Sequence, residues 1–70
     1  MSEIRTAEDA IRTADTFLTE YFLFRRLEGV SKVEGNWVLR YDVSVLGPKR
    51  IVIVKFDGKT GGLVEYITPD

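Results

Sequence analysis

The side chains in this sequence that could carry chemistry are carboxylates, lysines, tyrosines and hydroxyls, because its 70 residues include neither cysteine nor histidine. That composition excludes a thiolate nucleophile, an imidazole general base and a zinc site with Cys or His ligands. Carboxylates recur on the polar side of a predicted helix and on two predicted strands, at Glu8, Asp15, Glu20, Asp42 and Glu65. Acid–base catalysis needs a concave, partly dry site, which so short a chain has little material to build. We therefore expect a solvated acidic surface rather than an enzyme.

A Gly-Lys-Thr sequence at residues 58–60 resembles the end of a phosphate-binding loop. The full motif requires a glycine five positions earlier, where this chain has Ile53. The segment also lies between two predicted strands, so no helix N-terminus follows it to bind a phosphate. A glycine-rich hairpin loop explains these residues better, and we expect no cofactor.

Four basic residues form a candidate basic patch: Arg25, Arg26, Lys49 and Arg50. Such a patch could bind nucleic acid if aromatic rings beside it stacked on the bases. The best aromatic candidates, Trp37 and Tyr41, alternate onto the apolar side of a predicted strand, whereas Arg40 points to the other side. The formal net charge of −1 gives no general attraction to a polyanion. The sequence therefore disfavours a nucleic-acid partner and leaves weak binding as an alternative.

The first element that must position these residues is an amphipathic helix beginning after Thr6. Thr6 is a predicted N-cap, and Asp9 places negative charge in the first turn, where the helix dipole favours it. Apolar residues recur at helical spacing along one side as far as Phe22. We expect the helix to continue past the edge of its supporting layer to about residue 27 or 28, with Gly29 just beyond its C-terminus.

Beyond Gly29 the apolar period changes to two, which is typical of strands. Residues 30–34 predict a short strand, followed by a turn at residues 35–36. Residues 37–45 predict a strand with one buried side. Residues 50–56 are apolar on both sides and predict a central strand, and residues 63–68 form the last one.

Together these elements predict an α+β domain: one N-terminal amphipathic helix packed on a three- to four-stranded antiparallel meander sheet. The predicted core side chains of the two long strands are Trp37, Leu39, Tyr41, Val43, Val52, Val54 and Phe56. For the last strand, Val64 with Tyr66 and Leu63 with Ile67 remain equally credible core pairs.

Length and composition indicate one small domain, residues 1–70, whose core is thin because such a chain buries only about 60–65% of its surface. No stretch approaches 18 apolar residues, and no basic segment followed by an apolar run marks the N-terminus. We expect a cytoplasmic protein without a membrane partner. Gln is absent, and Asn36 and Met1 are single, a depletion described for thermophilic proteins.

A single helix can cover only one side of the sheet, so the other side is left for water or another subunit. Neither a disulfide nor a Cys/His metal site can support the thin core, which favours self-association, most simply a homodimer, or an unidentified protein partner. Leu23 lies off the apolar stripe of the predicted helix. The candidate interface residues are Leu23, Phe24, Val38, Arg40, Ile51 and Ile53.

The order of helix, short strand, G-N-W strand and V-K-F-D-G-K-T-G-G-L-V segment resembles the PepSY domain, a small α+β module related to cystatin-like folds. The residues that carry the resemblance are Gly35, Asn36, Trp37, Asp57, Thr60, Gly61 and Leu63. The similarity spans roughly residues 7–67 and supplies no catalytic residue. It implies a regulator or inhibitor that binds an extended peptide or a peptidase, in extracytoplasmic or membrane-attached contexts. We therefore expect a non-catalytic interaction module that self-associates, with a PepSY-like inhibitor and a weak nucleic-acid binder as alternatives.

Overall fold

A computed structural model of the protein, which describes residues 3–68, contains one helix followed by four strands. The elements are α1 (Ala7–Leu18), β1 (Arg26–Val33), β2 (Asn36–Asp42), β3 (Ile51–Asp57) and β4 (Leu63–Ile67). The strands form one antiparallel sheet in the order β1-β2-β3-β4, so each strand pairs with its neighbour in the chain. The predicted α+β meander is confirmed, with the fourth strand present.

The start of α1 is set by local hydrogen bonding, as the sequence predicts. The backbone N–H of Asp9 donates to Thr6 Oγ1 at 3.1 Å, which makes Thr6 the N-cap. The residues of α1 that are fully buried are Ala10, Ala14 and Leu18. Because two of these three side chains are a single methyl group, the helix axis can lie close to the sheet.

The predicted extension of the helix to residues 27–28 is wrong, because α1 ends at Leu18. The N–H groups of Tyr21 and Phe22 both donate to the Leu18 carbonyl, at 2.9 and 2.8 Å, and the chain then turns away. Arg25 folds back over this turn, donating to the Phe22 carbonyl at 2.9 Å and to Thr19 Oγ1 at 3.2 Å. Leu23 does not fit the helical pattern because the helix has already ended at Leu18. The predicted continuation of the helix past the edge of the sheet does not occur.

The residues that follow this turn join the sheet instead, so β1 is longer than the predicted strand at residues 30–34. Pairing with β2 begins at Arg26, opposite Asp42, and supplies backbone hydrogen bonds that a helical end would lack. Gly29 therefore lies in the ladder opposite Arg40, beside a β-bulge, and is not a helix C-cap residue. The hairpin turn also falls one residue earlier than predicted, with Glu34 at φ 51° and Gly35 at φ 83°.

The core lies between α1 and one side of the sheet. The predicted core residues of β2 and β3 and the residue just after β2 are all buried there: Trp37, Leu39, Tyr41, Val43, Val52, Val54 and Phe56. In β4 the two predicted alternatives are both incomplete, because a register shift next to Phe56 interrupts the alternation. Tyr66 packs against the core opposite Val54, and Leu63 lies opposite Phe56.

The segment before α1 ties the two hairpins together. Trp37 Nε1 donates to the carbonyl of Ile4 at 3.0 Å, and Ile4 N–H donates to the carbonyl of Gly58 at 2.8 Å. Gly58 N–H in turn donates to the carbonyl of Gly35 at 3.0 Å. Because Ile4 is buried and Trp37 is held by this chain of bonds, the tryptophan is structural rather than a stacking platform.

Candidate interaction surface

The side of the sheet opposite α1, which we call the open face, carries those residues of the predicted interface that lie on strands. Its residues include Val38, Arg40, Asp42, Ile51, Ile53, Lys55, Glu65 and Ile67, which alternate with the core residues along β2, β3 and β4. Strand register sets Arg40, Ile53 and Ile67 side by side in one row across the sheet. The next row contains Val38, Lys55 and Glu65. The structure therefore brings four of the six predicted interface residues onto one surface.

The apolar part of this face is only partly covered. Val38, Ile51 and Ile53 are half-buried by their neighbours in the sheet, and Ile67 on the edge strand is exposed. The sheet residues that pack in the core beneath α1 all lie on the other side of the sheet. An apolar strip of four β-branched side chains therefore faces outward across β2, β3 and β4. Its members are Val38, Ile51, Ile53 and Ile67.

The charges on the open face are unevenly matched. Lys55 Nζ lies 3.3 Å from Glu65 Oε1 in a cross-strand pair that contributes little to stability because both side chains are substantially exposed. Arg40 is exposed and has no carboxylate within ion-pair distance among residues 3–68. Glu65, the carboxylate among apolar neighbours, is thus a surface partner of Lys55.

Asp42 is the one buried charged residue in the part of the chain that the structure describes. Its Oδ1 accepts hydrogen bonds from the hydroxyl of Ser44 at 2.7 Å and from the N–H of Ser44 at 2.9 Å, and Arg26 Nη2 lies 3.0 Å from its Oδ2. These bonds hold the pKa of the Asp42 carboxyl well below its usual range. The ionised carboxylate accepts these three hydrogen bonds and stabilises the end of β2.

The candidate basic patch is largely neutralised by neighbouring carboxylates. Arg25 is mostly buried, so its guanidinium is committed to holding the end of α1. Three of the four cations form ion pairs: Arg25 Nε with Asp15 Oδ1 at 3.2 Å, Arg26 Nη2 with Asp42 Oδ2 at 3.0 Å, and Lys49 Nζ with Glu28 Oε1 at 2.8 Å. Arg50 is exposed. This arrangement weakens the electrostatic basis for binding a phosphate backbone.

Leu23 and Phe24 lie apart from the open face, on the segment that joins α1 to β1. Leu23 is 84% exposed and Phe24 is 66% exposed. Phe24 borders a hollow of about 320 Å³ whose other walls include Asp42 and Ser44. The sequence therefore identified two genuinely exposed apolar side chains, but it placed them on a helix and in the same interface as the sheet.

Sequence reasoning missed an apolar hollow of about 450 Å³ between α1 and the start of β4. Its floor is formed by Phe17, Phe56 and Leu63. Phe17 also packs edge-to-face on Tyr66, with ring centroids 5.1 Å apart. The signal for this hollow in the sequence is Phe17 at one margin of the apolar stripe of α1, whereas the register shift beside β4 left no mark in the pattern.

The Gly-Lys-Thr segment is a closed hairpin turn. Asp57 Oδ1 accepts hydrogen bonds from the N–H of Lys59 at 2.7 Å and of Thr60 at 3.2 Å, and Gly61 N–H donates to the carbonyl of Asp57 at 2.8 Å. The amides that a phosphate would need are therefore already bonded. Across residues 3–68 we find no cluster of three or more acidic side chains placed to hold a metal ion. Within the same range, α1 is too short and too polar to cross a membrane.

The chain matches no family model, no curated protein and no solved structure in the comparisons made.

Proposed function

We propose that the protein is a small non-catalytic interaction module that self-associates, with the open face as its contact surface. The observation that supports this proposal is the apolar strip of Val38, Ile51, Ile53 and Ile67 on the side of the sheet away from α1. A second copy would remove these side chains from water, which stabilises association at roughly 25 cal/mol for each Å² buried.

Charge on the open face is compatible with a second copy as the occupant. Arg40 lies beside Ile53 without a carboxylate of its own among the described residues, and Glu65 is held only by the exposed Lys55. In a symmetric pair, each Arg40 can approach a carboxylate of the other copy. An isologous contact therefore matches charge as well as apolar surface.

The size of the open face sets the strength of this contact. Four strands of five to eight residues, spaced about 4.8 Å apart, cover roughly 400 Å². Stable interfaces bury about 800 Å² on each partner, so the open face alone gives a weak complex. We expect association that depends strongly on concentration.

Sedimentation velocity across a concentration series tests the proposal. Ile53→Glu places a charge at the centre of the apolar strip and should lower the average mass at each concentration. Lys59→Glu, on the exposed β3–β4 turn, is the matched control and should associate like the wild type. An Ile53→Glu protein that stays folded and associates as strongly as the wild type would overturn the open face as the contact surface.

A second candidate function is the one that the resemblance to the PepSY domain implies, namely capture of an extended peptide at a sheet edge. The observation that favours it is the outer edge of β1, which pairs with no other strand among residues 3–68. Assays of inhibition against a panel of peptidases test this function. Inhibition that is retained in Lys59→Glu would support it, and no inhibition of any peptidase in the panel would exclude it.

A further inference from the structure

The outer edge of β1 is the longest unpaired strand edge in the described part of the protein. β1 has eight residues, lies first in the sheet order and contains no proline. One side of its backbone pairs with β2, and the other side presents N–H and C=O groups that are available to another strand. The side chains along β1 are mostly exposed.

A second copy of β1 can pair with this edge in several antiparallel registers, and the pleat limits the choice. In an antiparallel pair, residues directly opposite each other point to the same face of the sheet. Because side chains alternate between the faces, two symmetric copies of β1 meet this condition only when one residue lies opposite its own copy, with the two-fold axis between them. Registers of this kind keep both α1 helices on the same side of one continuous sheet. Near the middle of β1 the axis can pass through Gly29, Val30 or Ser31.

The charges on β1 discriminate among these three registers. An axis at Gly29 sets Glu28 opposite Val30, and an axis at Ser31 sets Lys32 opposite Val30, so neither register pairs opposite charges. An axis at Val30 sets Glu28 opposite Lys32, and symmetry forms this pair twice. The charges of the strand are therefore complementary to those of a second copy in one of these registers and not in the two neighbouring ones.

Packing and the bulge agree with the same register. Val30 already packs against the core from its own copy, so a second Val30 across the axis would continue the apolar layer. The β-bulge between Leu27 and Gly29 interrupts regular pairing on that side and limits the contact to about residues 28–32. The charges and the bulge disfavour pairing of this edge with unrelated strands. A second copy of β1 carries the complementary charges and can still pair.

We propose that the β1 edge is a second self-recognition surface, at which two copies pair antiparallel with Val30 on the two-fold axis. This inference goes beyond the open-face contact, because it uses a different surface and different residues. The edge contact adds main-chain hydrogen bonds to an assembly whose open face alone is small. A protein that uses both surfaces forms a closed tetramer when the two two-fold axes intersect at right angles.

Charge reversal in the Ile53→Glu background isolates the edge contact from the open face. In that background a dimer should persist. Adding Lys32→Glu sets it against Glu28 in both symmetry-related pairs and should weaken the dimer about tenfold. Reversing both charges, with Glu28→Lys and Lys32→Glu together, should restore the dimer, whereas adding Lys59→Glu should leave it unchanged.

Glu28 also pairs with Lys49, and Lys32 Nζ lies 5.4 Å from the centre of the Trp37 ring, so the reversals affect the folded chain as well. Cross-linking provides a second measurement that disturbs neither pair. The chain has no cysteine of its own, so Val30→Cys introduces a single thiol. On the axis its Cα would lie within the few ångströms that a disulfide spans. Val33→Cys is the matched control, because this register separates its two copies by about 20 Å.

Oxidation should therefore cross-link Val30→Cys quickly and Val33→Cys slowly. Equal rates for the two cysteine variants, or a dimer that the double reversal fails to restore, would overturn the edge inference and leave the open-face proposal standing. Edge variants that abolish association while Ile53→Glu has no effect would overturn the open face and support the edge. A β1 edge that binds an added peptide but never a second copy would also overturn the inference.

Discussion

At the scale of single residues, Gly58 has the least room for a side chain among the glycines at positions 29, 35, 47, 58 and 62. A Cβ atom at this position would lie 2.7 Å from the carbonyl oxygen of Gly35, a backbone atom that cannot move aside easily. We expect Gly58→Ala to destabilise the protein by about 1–3 kcal/mol because it separates the two hairpin turns. Gly29→Ala is the control, since open space surrounds its Cβ and its stability should change little. Urea unfolding of both variants measures the difference.

Tyr41 is a buried residue whose hydroxyl has no hydrogen-bond partner among the described residues. Burial, with a smaller contribution from the Asp15 carboxylate, raises the pKa of Tyr41 to about 12 from 10.0. The folded state therefore favours the neutral phenol, and this contribution to stability is complete below pH 10 and lost as the pH rises toward 12. Burial also raises the pKa of Tyr66, which adds to the loss in the same direction.

We expect Tyr41→Phe to leave stability at neutral pH within about 1 kcal/mol of the wild type, because the lost hydroxyl has no protein partner. The variant should also lose less stability than the wild type between pH 10 and pH 12. Chemical denaturation at a series of alkaline pH values checks both points. A variant that is strongly destabilised at pH 7 would show that the hydroxyl makes a bond that matters.

Asp42 has the opposite pH dependence. The hydroxyl and N–H of Ser44 and the guanidinium of Arg26 keep its pKa below that of an unfolded aspartate. Its contribution is therefore present above about pH 4 and is lost as the pH falls below that value. We expect Asp42→Asn to be less stable than the wild type at pH 7 and to depend less on pH under acid conditions. Thermal unfolding at pH 7 and pH 3 measures both effects.

At the scale of elements, the end of α1 separates two leucines that local sequence cannot distinguish. Leu18 is fully buried beneath the last turn, and Leu23 is 84% exposed beyond it. Leu18→Ala should cost about 2–5 kcal/mol, whereas Leu23→Ala should change stability by about 0.5 kcal/mol or less. Denaturant titration at low protein concentration checks this contrast, and similar losses at the two positions would contradict the observed end of the helix.

The elements also show what the sequence could and could not predict. The core of β2 and β3 followed from alternation, and the start of α1 followed from Thr6, because both signals are local. The end of α1 was misplaced because β1 gains its stability from pairing with β2, which a helical pattern does not contain. For the same reason the full length of the unpaired β1 edge was not predicted, whereas the open-face residues were predictable from alternation.

At the scale of the whole molecule, folding and association are expected to be linked. One helix of 12 residues covers one side of a four-stranded sheet, and no disulfide supports the core. A partner that binds only the folded chain stabilises it in proportion to the logarithm of its concentration. We expect the midpoint of thermal unfolding to rise with protein concentration for the wild type and to vary less for Ile53→Glu. Scanning calorimetry over a dilution series measures this dependence.

The most direct test of self-association is the mass of the protein in solution, measured by sedimentation equilibrium over a range of concentrations. The wild type should show a mass above that of the 8.0 kDa chain, rising with concentration. The combined Ile53→Glu and Lys32→Glu variant should show a lower average mass than the wild type and than Ile53→Glu at each concentration. A wild-type protein that stays at the mass of one chain at every concentration would contradict self-association at both surfaces.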